Sequence, residues 1–470
     1  MSETSRASDR HYALLTDLYQ LTMLQAYYVE DMQDTAVFDL FVRHLPEQRN
    51  YLIAAGLQPA LDYITSLAFT PDELDYLDSL GRFRTQFLDY LAGFHFTGDV
   101  YAVPEGTVVF ADEPLVEVIA PLPQAQLVET FILNQVHFQT LIASKAARVV
   151  HAAAGRTVVD FGLRRYHGID AGMQAARAAW LAGADATSNV LAGKTWNIPV
   201  NGTMAHSYIL AHDSEANAFA RFAELYPDTV LLVDTYDTLA GVRKVVELAR
   251  ELGERFQVSA IRLDSGEIGP LAHEARNILD RAGLERVQLF VSGDLDEHAI
   301  AALLTGGAPI DGFGVGTRMG TSADAPFLNC AYKLVEYAGE NRMKLSRDKA
   351  TLPGRKQIFR VRESGLNARD IIARHDERCA GTPLLRPVMQ SGNILRDTLP
   401  SLAVSRDHCR VERNALPAGV KSLQPGAPYP VELSSGLIAA REGLRRRIQK
   451  RGLQASPPIL RDAINQDQPD

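Results

Sequence analysis

The chain has 470 residues, 46% of them hydrophobic and 22% charged, with a formal net charge of -9. That composition supports a large buried core and excludes nucleic-acid or anionic-membrane binding driven by overall charge. The 3 cysteines, Cys330, Cys379 and Cys409, make no disulfide framework and suit a reducing cytoplasm. The spacing of His375, Cys379, His408 and Cys409 matches no standard zinc pattern. The polar start, M-S-E-T-S-R-A-S-D-R, lacks the apolar core of a signal peptide, and no uncharged apolar run is long enough to span a bilayer.

In chain order, Leu14 to Tyr28 reads as a helix with an apolar face and a cap at Thr16 or Asp17. Val37 to Phe41 reads as a strand, and Gly56 to Leu67 and Pro71 to Leu80 as helices. The runs T-V-V-F and L-V-E-V-I, split by A-D-E-P, suggest a hairpin between 100 and 121. A long helix follows over Leu127 to Ala154. Residues 1–150 therefore read as an α+β N-terminal domain. From Val158 apolar strands alternate with amphipathic helices. Strands are expected at 158–162, 188–191, 198–200, 230–234, 260–264, 287–292 and 312–316, with helices between most of them. Roughly seven strands in βα units approach the eight of a (β/α) barrel, here an irregular one over 151–335. An open doubly wound sheet competes, but no first strand is followed by G-x-G-x-x-G. Residues 336–470 read as short strands and loops ending in a basic helix, part of them packing back on the N-terminal domain.

Active sites of βα barrels lie at the carboxyl ends of the strands. Those ends carry Asp160, Asn189, Thr203 with His206, Asp234, Asp264 with Ser265, and Ser292. Each alone is as readily a helix cap or turn former; their recurrence at nearly every strand end is what points to a site. Arg262 and Asp264 are two apart on a strand, so they share a face, the lumen of a barrel. Ser292, Gly293 and Asp294, and the run Gly314, Gly316, Thr317, resemble the loops that hold phosphate in barrels. Arg164 and Arg165 follow a strand end and suit either a polyanion or a solvated surface. Lys344, Lys349, Arg355 and Lys356 suit a lid over phosphates or a basic surface.

Nine stretches carry a family resemblance, in order along the chain. They are T-D-L-Y-Q-L-T-M at 16–23, F-G-L-R-R-Y-H-G at 161–168, A-T-S-N-V-L-A-G-K at 186–194, G-T-M-A-H-S at 202–207, V-D-T-Y-D at 233–237, R-L-D-S-G at 262–266, V-S-G-D-L-D-E at 291–297, G-F-G-V-G-T-R at 312–318 and K-A-T-L-P-G-R-K-Q at 349–357. With them the chain resembles the nicotinate phosphoribosyltransferases. The resemblance implies synthesis of nicotinate mononucleotide and pyrophosphate from nicotinate and 5-phosphoribosyl 1-pyrophosphate, with Mg²⁺ and with ATP as co-substrate. It implies a phosphohistidine at His206, nicotinate contacts at Tyr19, Thr203 and Arg262, and a phosphoribosyl contact at Thr317. It also implies a homodimer in which Tyr19 reaches the neighbour's site. Asp264 suits the ribose hydroxyls or the metal, and Arg164 and Arg165 suit the leaving pyrophosphate. A nicotinamide or quinolinate enzyme, or a catalytically silent barrel, are the alternative readings.

Overall fold

The computed structural model describes residues 12–346 and 350–454. The N-terminal part runs α1 (Leu18–Val29), β1 (Thr35–Val42), β2 (Leu52–Ile53), α2 (Leu57–Ser66), α3 (Pro71–Ser79), α4 (Thr85–Ala92), β3 (Asp99–Ala102), β4 (Val108–Val109), β5 (Pro114–Pro121), α5 (Leu122–Leu127) and α6 (Glu129–Ala152). The βα part runs β6 (Thr157–Asp160), α7 (Ile169–Leu181), β7 (Ala186–Thr187), α8 (Val190–Trp196), α9 (His206–Leu210), α10 (Glu215–Leu225), β8 (Val230–Leu232), α11 (Thr238–Leu252), β9 (Ala260–Leu263), α12 (Ile268–Arg281), β10 (Gln288–Val291), α13 (Glu297–Thr305), β11 (Gly312–Val315) and α14 (Thr317–Gly320). Then come β12 (Cys330–Tyr337), β13 (Glu340–Asn341), β14 (Lys356–Glu363), β15 (Leu366–Arg374), β16 (Thr382–Pro383), β17 (Arg386–Gln390), β18 (Asn393–Ile394), α15 (Leu402–Asn414), α16 (Ala418–Lys421), β19 (Val431–Leu433) and α17 (Ser435–Gln454).

The six βα strands are parallel, in the order β7-β6-β11-β10-β9-β8. Read as a ring, that is chain order with one link missing, between β7 and β8. A doubly wound sheet would instead reverse direction at a switch point. The sheet is thus a barrel left open at one seam. Two expected strands account for the opening. Residues 188–191 enter α8 instead, because the Asn189 side chain accepts the Ala192 amide at 3.1 Å and starts a helix. Residues 198–200 make only a bridge from Val200 to Thr187, flanked by Thr187 N to Pro199 O and Asn201 N to Thr187 O, both 3.0 Å.

The N-terminal sheet has seven strands, ordered β13-β12-β1-β5-β3-β17-β18, so strands from beyond residue 330 complete it on both sides. Central β1 is buried from Ala36 to Val42, as a strand covered on both faces must be. The expected hairpin within 100–121 does not form between its two β-rich runs. β4 pairs with β2, while β5 lies between β1 and β3. Asp112 sits at φ 64° and Glu113 takes the Phe110 amide at 2.8 Å, which turns the chain into a different sheet. α1 begins at Leu18, later than expected; Asp17 stands at its N-cap but accepts from Thr130 Oγ1 at 3.1 Å rather than capping. α6 packs against α2, α7, α13 and α14, joining this layer to the barrel.

Candidate active site

The strand ends at β9 and β10 hold the centre of the site. Arg262 lies on the lumen side of β9, between buried Ile261 and Leu263. Its Nε donates to Ser292 Oγ at 2.7 Å, Nη1 to Thr203 Oγ1 at 3.0 Å and Met204 O at 3.3 Å, and Nη2 to Asp264 Oδ1 at 2.7 Å. Ser292 in turn donates to Asp264 Oδ1. Burial pushes the Asp264 carboxyl up, but Ser292 and Arg262 outweigh it and hold the group below the usual carboxylate range. Asp264 is therefore a fixed negative charge.

Glycine makes this meeting sterically possible. Gly293 has φ +95°, and a Cβ there would stand 2.1 Å from the Asp264 carbonyl oxygen. β10 passes against the end of β9 only because that side chain is missing. Asp234, after β8, accepts the Asp264 amide at 2.9 Å and the Ser265 hydroxyl at 2.6 Å with Oδ2, while its buried Oδ1 has no partner.

His206 opens α9 at the seam. Its Nδ1 is 3.0 Å from Thr235 Oγ1, and its Nε2 is 3.8 Å from Asp264 Oδ2. The ring is 40% exposed at its side chain. The imidazole is thus accessible, tied through Nδ1 and close to a carboxylate at Nε2.

The expected phosphate loops lie beside this centre. α13 begins at Glu297, with Asp296 as its cap, so Ser292 to Asp294 form a loop before the helix rather than its first turn. Arg318 spans Asp294, at 2.9 and 2.6 Å, and Asp296, at 3.1 Å. Gly314 lies within β11, where a Cβ would meet the Phe161 ring at 2.4 Å, so packing accounts for that glycine. Gly316 and Thr317 lead into the short α14. Arg164 and Arg165 are exposed on a 3-10 turn, and the charge of Arg165 helps lower Asp294 after the Arg318 hydrogen bond. Asp160 anchors that turn from below, accepting Gly162 N at 3.0 Å, Thr187 Oγ1 at 2.8 Å and the Tyr166 hydroxyl. Asp160 is 1% exposed, and both its carboxylate oxygens are occupied by these partners.

Three expected residues stand elsewhere. Tyr19 is on α1, which packs on α5, and is 49% exposed; its hydroxyl accepts from Gln20 at 3.0 Å. Arg355 pairs with Glu117 at 3.0 Å and buried Lys356 with Asp39 at 2.7 Å, so these two are internal ties and not a lid. Lys349 lies outside the described residues. Sequence reasoning passed over Phe161, whose ring centroid is 5.5 Å from the Arg262 guanidinium, and Thr235, the anchor of His206. Both follow a strand-end aspartate directly, which is the signal that could have found them.

The chain is 53% identical over 434 residues to the nicotinate phosphoribosyltransferase pncB2 of Mycobacterium tuberculosis, covering 92% of this chain and 94% of that protein. The chain belongs to the nicotinate phosphoribosyltransferase family. The family's N-terminal domain model matches residues 14–137 and its C-terminal domain model residues 377–441. Nicotinate phosphoribosyltransferase of Bacillus subtilis is 43% identical over 389 residues, covering 80% of this chain and 79% of that one. The crystal structure of human nicotinic acid phosphoribosyltransferase superposes with a TM-score of 0.81 at 29% identity, covering 91% of this chain and 99% of that chain. Nicotinate-nucleotide pyrophosphorylase of Pyrococcus furiosus, at 23% identity and a TM-score of 0.71, shares the fold.

Proposed function

We propose that the chain joins nicotinate to 5-phosphoribosyl 1-pyrophosphate, giving nicotinate mononucleotide and pyrophosphate for NAD biosynthesis. ATP hydrolysis is coupled to it through a phosphohistidine at His206. Membership of the family supports the reaction. The observation that carries the residue roles is the Arg262 lattice, which joins Thr203, Asp264 and Ser292 in one hydrogen-bonded set with His206 at its edge.

In this reading the nicotinate carboxylate is met by Arg262, which keeps donor capacity beyond its internal partners, with the Thr203 hydroxyl beside it. The pyridine nitrogen attacks ribose C1 as the bond from C1 to the pyrophosphate oxygen breaks. Positive charge grows on the sugar and is balanced by Asp264, which faces the ribose hydroxyls. Negative charge grows on the leaving group and is balanced by Arg164, Arg165 and the amides around Gly293, Asp294, Gly316 and Thr317. The donor set fits Mg²⁺, which takes one or two carboxylates and otherwise substrate oxygens and water. Asp264 and the unpartnered Oδ1 of Asp234 would hold it, and it would neutralise pyrophosphate charge. Separately, a ring nitrogen of His206 attacks the γ-phosphorus of ATP and ADP leaves; water later releases the phosphate. The cytoplasm is the proposed compartment, and among the described residues no helix is long and apolar enough to cross a membrane.

The test is turnover with nicotinate, nicotinamide and quinolinate, each with the phosphoribosyl donor, with and without ATP. The expected result is synthesis from nicotinate alone, faster with ATP. Release of carbon dioxide from quinolinate, or turnover of nicotinamide, would move the chain to those alternatives. Absence of turnover with any base would support the silent barrel.

A homodimer with shared sites is part of the same proposal, since Tyr19 is exposed and remote from Arg262 along the chain. Mixing Tyr19→Ala with His206→Ala protomers should recover ATP-stimulated synthesis, because one site of each heterodimer then carries neither change. Heterodimers verified by mass that stay as inactive as the parents would remove Tyr19 from the shared site.

A further inference from the structure

Behind the two expected phosphate loops lies a buried cluster of charged side chains that no role above uses. Arg49 comes from the chain between β1 and β2, Lys145 and Arg148 from α6, Glu297 from the first turn of α13, and Asp324 from the segment after α14. Lys145 Nζ stands 2.5 Å from Glu297 Oε2 and 2.7 Å from Asp324 Oδ1. Arg148 Nε donates to Glu297 Oε1 at 2.9 Å and Nη2 to Leu423 O at 2.8 Å. Arg49 grips Asp324 with both terminal nitrogens, and its Nη2 also donates to Ser322 Oγ at 3.2 Å. Glu297 is 0% exposed and Lys145 1%.

Burying such charges costs more than burying apolar side chains of the same volume, so stability is a poor reason for the cluster. Its placement suggests a better one. Glu297 adjoins Asp296, whose Oδ1 takes the amides of His298 and Ala299 at 3.0 and 2.9 Å and whose Oδ2 takes Arg318. Ser322 and Asp324 close the turn that follows Thr317 to Gly320. One set of cations on α6 therefore holds both loops, 292–296 and 316–322, from behind. The cluster has three cations, Arg49, Lys145 and Arg148, against two carboxylates, Glu297 and Asp324. Burial pushes the Asp296 carboxyl up, yet the Ala299 amide and the charge of Lys145 outweigh it.

We propose that Lys145 and Arg148 are positioning residues for the substrate phosphates: acting through Glu297 and Asp324, they set the spacing of the two loops and place positive potential behind them, without touching substrate. The inference rests on the reading that these loops receive the phosphoribosyl donor.

Lys145→Met removes the charge that Glu297 and Asp324 share while keeping most of the apolar stem. KM for the phosphoribosyl donor should rise about tenfold while KM for nicotinate, at saturating donor, stays within about twofold. Lys145→Arg should restore most of the loss. Asp324→Asn, with a side chain 22% exposed, is the milder change and should act in the same direction even if Lys145→Met does not fold. If the folded variants melt earlier but keep the wild-type KM for the donor, the cluster is structural only and the proposal falls. Gly293→Ala separates the two layers of the argument, because its Cβ must push the 292–296 loop off Asp264. A raised donor KM in Gly293→Ala alone would keep the loop reading and overturn the positioning role. An unchanged donor KM in every variant would overturn both.

Discussion

Replacing His206 with alanine should abolish ATP hydrolysis and the stimulation of synthesis by ATP, while the protein stays folded. The side chain is 40% exposed, and its recorded polar ties are the Thr235 hydroxyl at 3.0 Å and the distant Asp264 carboxylate. A truncation of that kind shifts stability by no more than about 1 kcal/mol. Transferase chemistry proper stays in place, since Arg262, Thr203, Asp264 and Ser292 hold one another without the histidine. ATP-independent synthesis should therefore persist in part. Labelling from γ-phosphate-labelled ATP, followed by acid-sensitive release, is the direct readout. Labelling and ATPase rate at wild-type level in the alanine variant would place the phosphoryl acceptor elsewhere.

The second large effect is expected at Arg262. Its guanidinium joins three other side chains, so alanine removes the proposed carboxylate clamp and also leaves Asp264 and Ser292 without their common donor. A charge-assisted hydrogen bond contributes roughly 1.5–3 kcal/mol, and 1.4 kcal/mol is a factor of ten. Arg262→Ala should lower kcat/KM for nicotinate by at least about tenfold to a hundredfold. KM for the phosphoribosyl donor should rise less, because Asp264 keeps its ties to the Asp234 carboxylate through its amide. Arg262→Lys should recover only part, since an ammonium cannot reproduce the planar fork that reaches Ser292, Thr203 and Asp264 together. Steady-state kinetics with each substrate varied decides it. Loss of donor affinity with base preference intact would assign Arg262 to the phosphates and send the search for the clamp to Arg164 and Arg165, because Arg318 is already held by Asp294 and Asp296.

The centre of the site was legible where local rules suffice. A two-residue spacing on a strand put Arg262 and Asp264 on one face, and the structure joins them at 2.7 Å. Strand-end reasoning gathered Thr203, His206, Ser292 and Asp234 for the same reason. What was not legible depends on partners far along the chain. The β-rich runs around residues 108 and 116 look like a hairpin, yet β4 and β5 pair with β2 and with β1 and β3. Strand composition identifies a strand without naming its neighbour. Residues 188–191 read as a strand from their apolar run, whereas a single Asn189 cap turns them into a helix. Lys356, counted with the surface cations, is buried against Asp39, a tie that requires β1 and β14 to be adjacent to the same interior.

The missing link between β7 and β8 has a mechanical consequence. Residues 202–205 carry no regular secondary structure, so the segment leading to His206 is held by the Arg262 side chain, through Thr203 and Met204, rather than by a backbone ladder. Had those residues formed a seventh strand, any swing of the histidine would have torn several backbone hydrogen bonds at once. As built, displacement of the ring breaks the Thr235 contact and loosens the one with Asp264, on the order of 1–3 kcal/mol. Under the proposed phosphorylation of His206, a phosphoryl group with close to two negative charges beside the Asp264 carboxylate would exert a repulsion of comparable size. Under that phosphorylation, the open seam would serve as a joint that one covalent charge can move without disrupting the sheet's ladder.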